Sequence, residues 1–259
     1  MCLTWMRKRY GFLEKAIVAN KMNTPFIIIP DVHGRDFWRW TVAHRKKEDS
    51  VIFLGDYLDP YEDEWIYWSD AYKDLLDIIA LKREYPDKVV LLLGNHDMHY
   101  LFPGLRGGRY NEYQAEKIRK TFMDNMDCFQ MAAECKNDGK RYLFTHAGVN
   151  KAWVEKYADL FGPVDKVTAD TFNSLMFKDA FVEALGDISS LRWGNDRAGS
   201  MVWADAEEFE WSEARLPDVV QVFGHTLQDN GPRVIDHSVY CLDCRRGFLL
   251  NESGVIEQI

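Results

Sequence analysis

The chain has 259 residues, 47% of them hydrophobic, enough to bury the core of one large α/β domain or two small ones. Its 41 acidic and 32 basic residues leave a net charge of -9, which denies it a global basic surface for nucleic acid or an anionic membrane. No apolar run approaches the roughly 20 residues of a membrane-spanning helix, the first 22 residues carry charges throughout, unlike a secretory leader, and five cysteines make an odd number suited to a reducing compartment; a soluble, cytoplasmic protein is expected.

Residues 1–23 read as an N-terminal helix or an extension upstream of the domain, which spans 24–259. From residue 24 a short apolar run, a polar loop and a helical segment alternate, the pattern of a layered α/β fold. Apolar runs at 26–29, 51–54, 89–93, 142–144 and 219–223 are too short for helices and rich in Val, Ile, Leu and Phe, so they are predicted to be buried strands. Residues 37–45, 71–83 and 114–126 place apolar side chains three and four apart and are predicted helices. About 150–215 differs in its Trp, Phe and acidic content, with helical stretches at 151–160 and 170–185, and reads as an α-rich insertion over one face. The tail from 234 is punctuated by Gly247 and Gly254 and is expected to form antiparallel strands. Cys241 and Cys244 are the only close cysteine pair. Without two further ligands at zinc spacing they read as buried small hydrophobes.

Every cluster able to bind a metal comes directly after a predicted strand. Asp31-Val32-His33-Gly34 follows the first; Gly55-Asp56-Tyr57-Leu58-Asp59 the second; Gly94-Asn95-His96-Asp97 the third; Thr145-His146-Ala147-Gly148 the fourth; Gly224-His225-Thr226 the fifth. Strand carboxyl ends are where an open α/β sheet assembles a site from distant sequence. Mixed carboxylate, amide and imidazole donors suit Mn, Fe or Zn better than a hard all-oxygen cage. The glycines let each loop turn sharply and bring its ligand inward. His44, His99 and His237 lack such a setting, and Glu62, Asp63 and Glu64 read as a solvated loop.

This ordered set resembles the calcineurin-like metallophosphoesterases, whose pattern runs D-x-H, G-D-x-x-D, G-N-H-[DE], a single His, then G-H, over roughly residues 24–240. The resemblance implies two mixed β-sheets packed in a four-layer α/β sandwich flanked by helices. It implies two divalent ions, manganese first with iron or zinc as alternatives. Asp31 and His33 would bind the first, Asp56 would bridge both, and Asn95, His146 and His225 would complete the second. His96 would be the general acid, supported by Asp59, while Asp97 reads as a supporting residue or a further ligand. A single His in the last motif resembles the phosphoprotein-phosphatase branch, which includes dinucleoside-tetraphosphate hydrolases, and Ser200 to Asp205 resembles that branch's Trp-containing stretch.

One departure matters: the branch writes Arg after the second Asp, and here Asp59 is followed by Pro60-Tyr61. Another guanidinium must grip the phosphate. Arg106 and Arg109 are the candidates, with Arg192 and Arg197 as competitors. The implied substrate is a phosphoprotein or small phosphomonoester, then a dinucleoside polyphosphate, with nucleic acid last. A rival is a metal-binding scaffold without catalysis.

Overall fold

A computed structural model describes residues 25–46 and 49–259, so the N-terminal extension and Cys2 lie outside the described residues. Eleven strands are described, in two sheets. The first has the order β11-β10-β1-β2-β3-β4, with β1 (Phe26–Ile29), β2 (Ser50–Phe53), β3 (Val89–Leu92), β4 (Phe129–Gln130), β10 (Phe248–Leu250) and β11 (Ile256–Gln258). Neighbours from β1 to β4 are parallel, and β10 and β11 are antiparallel additions at one edge. The second has the order β5-β6-β7-β9-β8, with β5 (Ala133–Asn137), β6 (Lys140–Phe144), β7 (Val220–Phe223), β8 (Arg233–Ile235) and β9 (Val239–Cys241). Its centre, β6-β7-β9, is parallel and its two edges are antiparallel.

Alternation within the apolar runs separates two cores. Phe26, Ile28, Ile52, Leu54, Val90 and Leu92 face Tyr142, Phe144, Val220, Val222 and Tyr240 between the sheets. Ile27, Ile29, Val51, Phe53, Val89 and Leu91 point outward, where they pack with Trp38, Leu75, Ile78 and Ile79. Those side chains come from helices α1 (Phe37–Ala43) and α2 (Trp68–Glu84). Burial on both faces is why these strands read as unbroken apolar runs rather than alternating ones. The outer face of the second sheet is covered by Ala206 and Phe209, packed on Phe223, Val239 and Cys241. Two mixed sheets flanked by helical layers are the expected α/β sandwich.

Helix α3 (Asn95–Leu101) starts on the third motif itself, followed by α4 (Ala115–Asp124). Between β6 and β7 the predicted stretch 151–160 divides at Tyr157 into α5 (Lys151–Lys156) and α6 (Ala158–Phe161). The stretch 170–185 divides where Lys178 becomes extended, into α7 (Ala169–Leu175) and α8 (Asp179–Ala184). Trp153, Phe161, Phe172 and Phe181 pack ring to ring beneath these helices. The tail strands are antiparallel hairpins as expected, but they divide between the sheets: β8 and β9 join the second, β10 and β11 the first.

Candidate metal centre

Strands β1, β2, β3, β6 and β7 release their five loops at a common edge, and backbone bonds stitch the loops together. His33 N donates to Asp56 O at 2.7 Å, and Gly224 N to His146 O at 2.8 Å. Gly34, Gly55 and Gly148 adopt left-handed backbone. Gly94 has a different reason: a Cβ there would stand 2.1 Å from Asp56 Oδ1 and 2.7 Å from His146 Cε1. Only glycine lets the third loop close onto the second.

The six expected ligands come together, all buried: Asp31, His33, Asp56, Asn95, His146 and His225. Each of two histidine rings is oriented by a backbone carbonyl, His33 Nδ1 to Leu58 O at 2.7 Å and His146 Nδ1 to Leu54 O at 2.9 Å. A carbonyl can only accept, so both Nδ1 atoms carry a proton and both Nε2 atoms point into the hollow. His146 Nε2 lies 2.9 Å from Asn95 Oδ1, 3.1 Å from His225 Nδ1 and 3.4 Å from Asp56 Oδ2. His33 Nε2 lies 3.6 Å from Asp56 Oδ2 and 3.9 Å from Asp31 Oδ2.

Bonds of about 2.1 Å to one ion would set neighbouring ligands roughly 3.0 Å apart in an octahedron and roughly 3.4 Å in a tetrahedron. The donors of Asp56, Asn95, His146 and His225 have that spacing, while His33 Nε2 stands wider, 3.6 and 3.9 Å from the carboxylates of Asp56 and Asp31, and Asp56 belongs to both groups. Carboxylate, amide and imidazole donors gathered in two buried groups that share Asp56 are a ligand set suited to two divalent ions, which on binding would displace any proton held on an imidazole Nε2.

Electrostatics point the same way. Burial opposes a charge on Asp56, but His146, His96 and His33 hold its carboxyl well below the usual carboxylate range. Burial likewise works against charge on His146, yet Asp56 and Asp31 pull it up to about 10. The hollow therefore draws positive charge.

Asp97 binds nothing in the hollow. Its carboxylate, wholly buried, accepts Asp56 N at 2.8 Å, Tyr57 N at 3.1 Å and Gly94 N at 2.8 Å, and so fastens the second loop to the third. Burial and the nearby Asp56 push its carboxyl well above the ordinary range against those three donors.

Beside the hollow, Asp59 Oδ2 holds His96 Nδ1 at 2.9 Å. The same oxygen lies 2.8 Å from His99 Nε2, and Asp59 Oδ1 accepts the Tyr100 hydroxyl. His99 is thus not an isolated packing residue but part of the frame around Asp59. The signal available for it was helical spacing, since His96, His99 and Tyr100 share one face of a helix.

The arginine candidates separate. Arg109 donates to Asp59 O, stacks 3.7 Å from the Tyr61 ring centroid, and brings Nη2 to 3.1 Å from His96 Nε2 and 3.4 Å from His33 Nε2. Guanidinium only donates, so His96 Nε2 is an acceptor here. The approach of this loop depends on Gly107, where a Cβ would lie 3.0 Å from Trp203 Cη2. Arg106 is half-exposed, stacks on Tyr110 and pairs with Glu112 at 3.4 Å. Arg192 lines the same cavity as Arg109 and pairs with Asp205 at 3.2 Å, whereas Arg197 lines a separate small cavity.

The remaining side chains singled out in the sequence lie apart. His44 and His237 are exposed, as are Glu62 and Asp63, while Glu64 pairs with Arg35 and Arg245. Cys241 Sγ donates to Thr226 O and Gly224 O, and Cys244 is buried between the sheets. The two thiols share no ligand. Asp243, which belongs to none of the five motifs, follows β9 just as the other clusters follow their strands. It is buried, and its Oδ1 has no partner among the described residues. Burial and the neighbouring Asp31 push its carboxyl well up.

Above the centre opens a cavity of about 440 Å³ lined by His33, Asp56, Asn95, His96, Arg109, Arg192 and His225, with walls from Tyr61, Trp193 and Trp203. No described helix is long and apolar enough to cross a membrane.

Two solved structures share the fold at low identity. A cold-active protein-tyrosine phosphatase from a psychrophilic Shewanella is 16% identical with a TM-score of 0.58, over 93% of this chain and 83% of that one. A protein serine/threonine phosphatase from Saccharomyces cerevisiae is 16% identical with a TM-score of 0.54, over 94% and 81%. The family model for calcineurin-like phosphoesterases matches residues 24–229, which takes in all five motif loops. This chain belongs to the calcineurin-like phosphoesterase family.

Proposed function

We propose that this protein is a dinuclear metallophosphatase hydrolysing a phosphomonoester, carried on a protein or on a small molecule. One observation supports it above the rest: His146 Nε2, Asn95 Oδ1, His225 Nδ1 and Asp56 Oδ2, brought by four different motif loops, converge within 2.9–3.4 Å of His146 Nε2 around one buried hollow. Asp31, His33 and Asp56 would hold one ion, and Asp56, Asn95, His146 and His225 the other. When bound, two divalent ions, manganese first with iron or zinc as alternatives, supply an activated water and neutralise phosphoryl oxygens.

The chain's own groups do the rest. Arg109 offers a two-pronged guanidinium to the phosphate, the part for which the motif arginine is missing. His96 Nε2 stands 3.1 Å from that guanidinium. Once Arg109 turns its N–H groups to the phosphate, His96 Nε2 is free to carry a proton and to give it to the oxygen leaving phosphorus as that P–O bond breaks and the new P–O bond to water forms. Asp59, fixed by His99 and Tyr100, orients the His96 ring. A scaffold would have no use for an acid so supported, which favours the enzyme. The free, buried cysteines at 128, 135, 241 and 244 favour a reducing compartment, and hence the cytoplasm.

The test is hydrolysis of para-nitrophenyl phosphate and diadenosine tetraphosphate by metal-stripped protein given manganese, beside Asp56→Asn. Manganese-dependent turnover lost in the variant is expected, with the monoester preferred. Absence of turnover on both compounds by protein that has bound manganese would overturn the enzyme reading, and preference for the tetraphosphate would replace the monoester reading.

A further inference from the structure

The cavity above the metal ligands is much larger than a phosphoryl group needs. About 440 Å³ is the scale of pockets that enclose a whole organic ligand, so its outer part is shaped for what the phosphate is attached to. Polar groups lie at its floor: His33, Asn95, His96, Arg109 and His225. Its rim carries Trp193.

Trp193 is 97% exposed, and no ring contact holds it among the described residues. A single exposed apolar side chain is ordinary, but this one is displayed by a constrained loop. Its backbone is left-handed at φ 60°, a conformation that bulky residues rarely take. The loop beneath it is closed by Ser190 N to Asp196 O at 2.8 Å, Gly194 N to Ser189 O at 2.9 Å and Asp196 N to Ile188 O at 3.1 Å. Lys156 then fastens the loop to α5 through Asp196 at 3.0 Å. A Cβ at position 194 would fall 2.0 Å from Ile188 O, so the turn after the tryptophan is packed shut. The side chain next to Trp193, Arg192, is anchored on Asp205 and lines the same cavity. The segment thus places a guanidinium in the cavity lining and an unburied indole one residue later at the rim.

We propose that Trp193 is a specificity residue that stacks on a planar aromatic group in the ester portion of the substrate. This deepens the phosphatase reading and rests on it. The chemistry required is a phosphate ester bearing a flat π-face within reach of the rim, and both a phosphotyrosyl ring and a nucleobase supply one. Stacking between an aromatic side chain and a base changes affinity by about tenfold or more on removal.

The experiment compares benzyl phosphate with cyclohexylmethyl phosphate, esters of similar size that differ in aromaticity, using manganese-loaded protein and the variants Trp193→Ala and Trp193→Phe. The wild type is expected to favour the benzyl ester about tenfold, through KM rather than kcat. That preference should vanish in Trp193→Ala and persist in Trp193→Phe. The same comparison by calorimetry, with the non-hydrolysable benzyl and cyclohexylmethyl phosphonates, reads the stack without turnover. Equal affinities in the wild type, or a preference that survives Trp193→Ala, would overturn the proposal. An intact phosphonate preference with no turnover of either ester would instead sink the phosphatase reading alone. O-phosphotyrosine and adenosine monophosphate, run alongside, decide which source of the ring is favoured.

Discussion

Replacing Arg109 tests whether a guanidinium arriving from another loop has taken over the missing motif position. Its Nη2 already reaches His96 Nε2 and His33 Nε2, at 3.1 and 3.4 Å, while Nη1 is tied to Asp59 O and Tyr61 supports the plane at 3.7 Å. Arg109→Ala removes two charge-assisted hydrogen bonds to a phosphate, each worth about 1.5–3 kcal/mol in a partly buried site. Allowing for water that replaces part of the loss, about 3–4 kcal/mol remains, or roughly a hundred- to a thousandfold in kcat/KM. Arg109→Lys keeps the charge but not the fork and should recover only part of that. Arg106→Ala is the internal control, since its half-exposed pair with Glu112 at 3.4 Å is worth less than about 1 kcal/mol. The assay is para-nitrophenyl phosphate hydrolysis with bound manganese quantified for each protein, because Arg109 supplies no metal ligand and the metal content should hold. Activity within about threefold of wild type in Arg109→Ala, or an equal loss in Arg106→Ala, would refute the assignment.

Asp97→Ala would strand three buried backbone N–H groups that now share one carboxylate. At about 1–3 kcal/mol each, offset in part by relief of a buried acid, the urea midpoint should show a loss of at least about 3 kcal/mol; a loss under 1 kcal/mol would mean the loops are held by other means. Gly107→Ala would press a methyl against Trp203, which must give by a few tenths of an ångström. A severalfold rise in KM with melting temperature nearly unchanged is expected, and an unchanged KM would show that the Arg109 loop adapts.

The strand-end loops were legible because two physical signals coincide in them. A short run of branched and aromatic residues specifies a strand buried on both faces, and a polar cluster immediately after it has nowhere to go but the sheet edge. What escaped had weaker local signals. β5 is Ala-Glu-Cys-Lys-Asn, amphipathic and short, and only its Asp138-Gly139 turn announces the hairpin to β6. The division of the tail between sheets depends on which edges are open, a tertiary fact. Asp243 follows the positional rule, but its run, Val-Tyr-Cys, is three residues long. The choice of Arg109 over Arg106 rests on a left-handed residue that sends one side chain inward and the other to solvent, and nothing in Arg-Gly-Gly-Arg reveals which.

Backbone conformation explains why local propensity underreports this site. His33, Asp56, Asp59, Arg109 and His225 all have φ between 46° and 66°, five of the twelve non-glycine residues with positive φ among those described. Such conformations cost about 1–3 kcal/mol apiece, so the five together cost on the order of 5–15 kcal/mol, comparable with the net stability of a typical domain. Asp and His tolerate the left-handed region better than most residues, which trims the figure. The remainder is offset by contacts that fix each residue from outside its own loop: Asp56 O receiving His33 N, Asp97 receiving Asp56 N, and Asp31 Oδ1 receiving His225 N at 2.8 Å. Each strained residue is therefore held by a neighbouring motif rather than by its own sequence. The five loops must form together, which is why the motifs are individually short and uninformative yet specific as an ordered set.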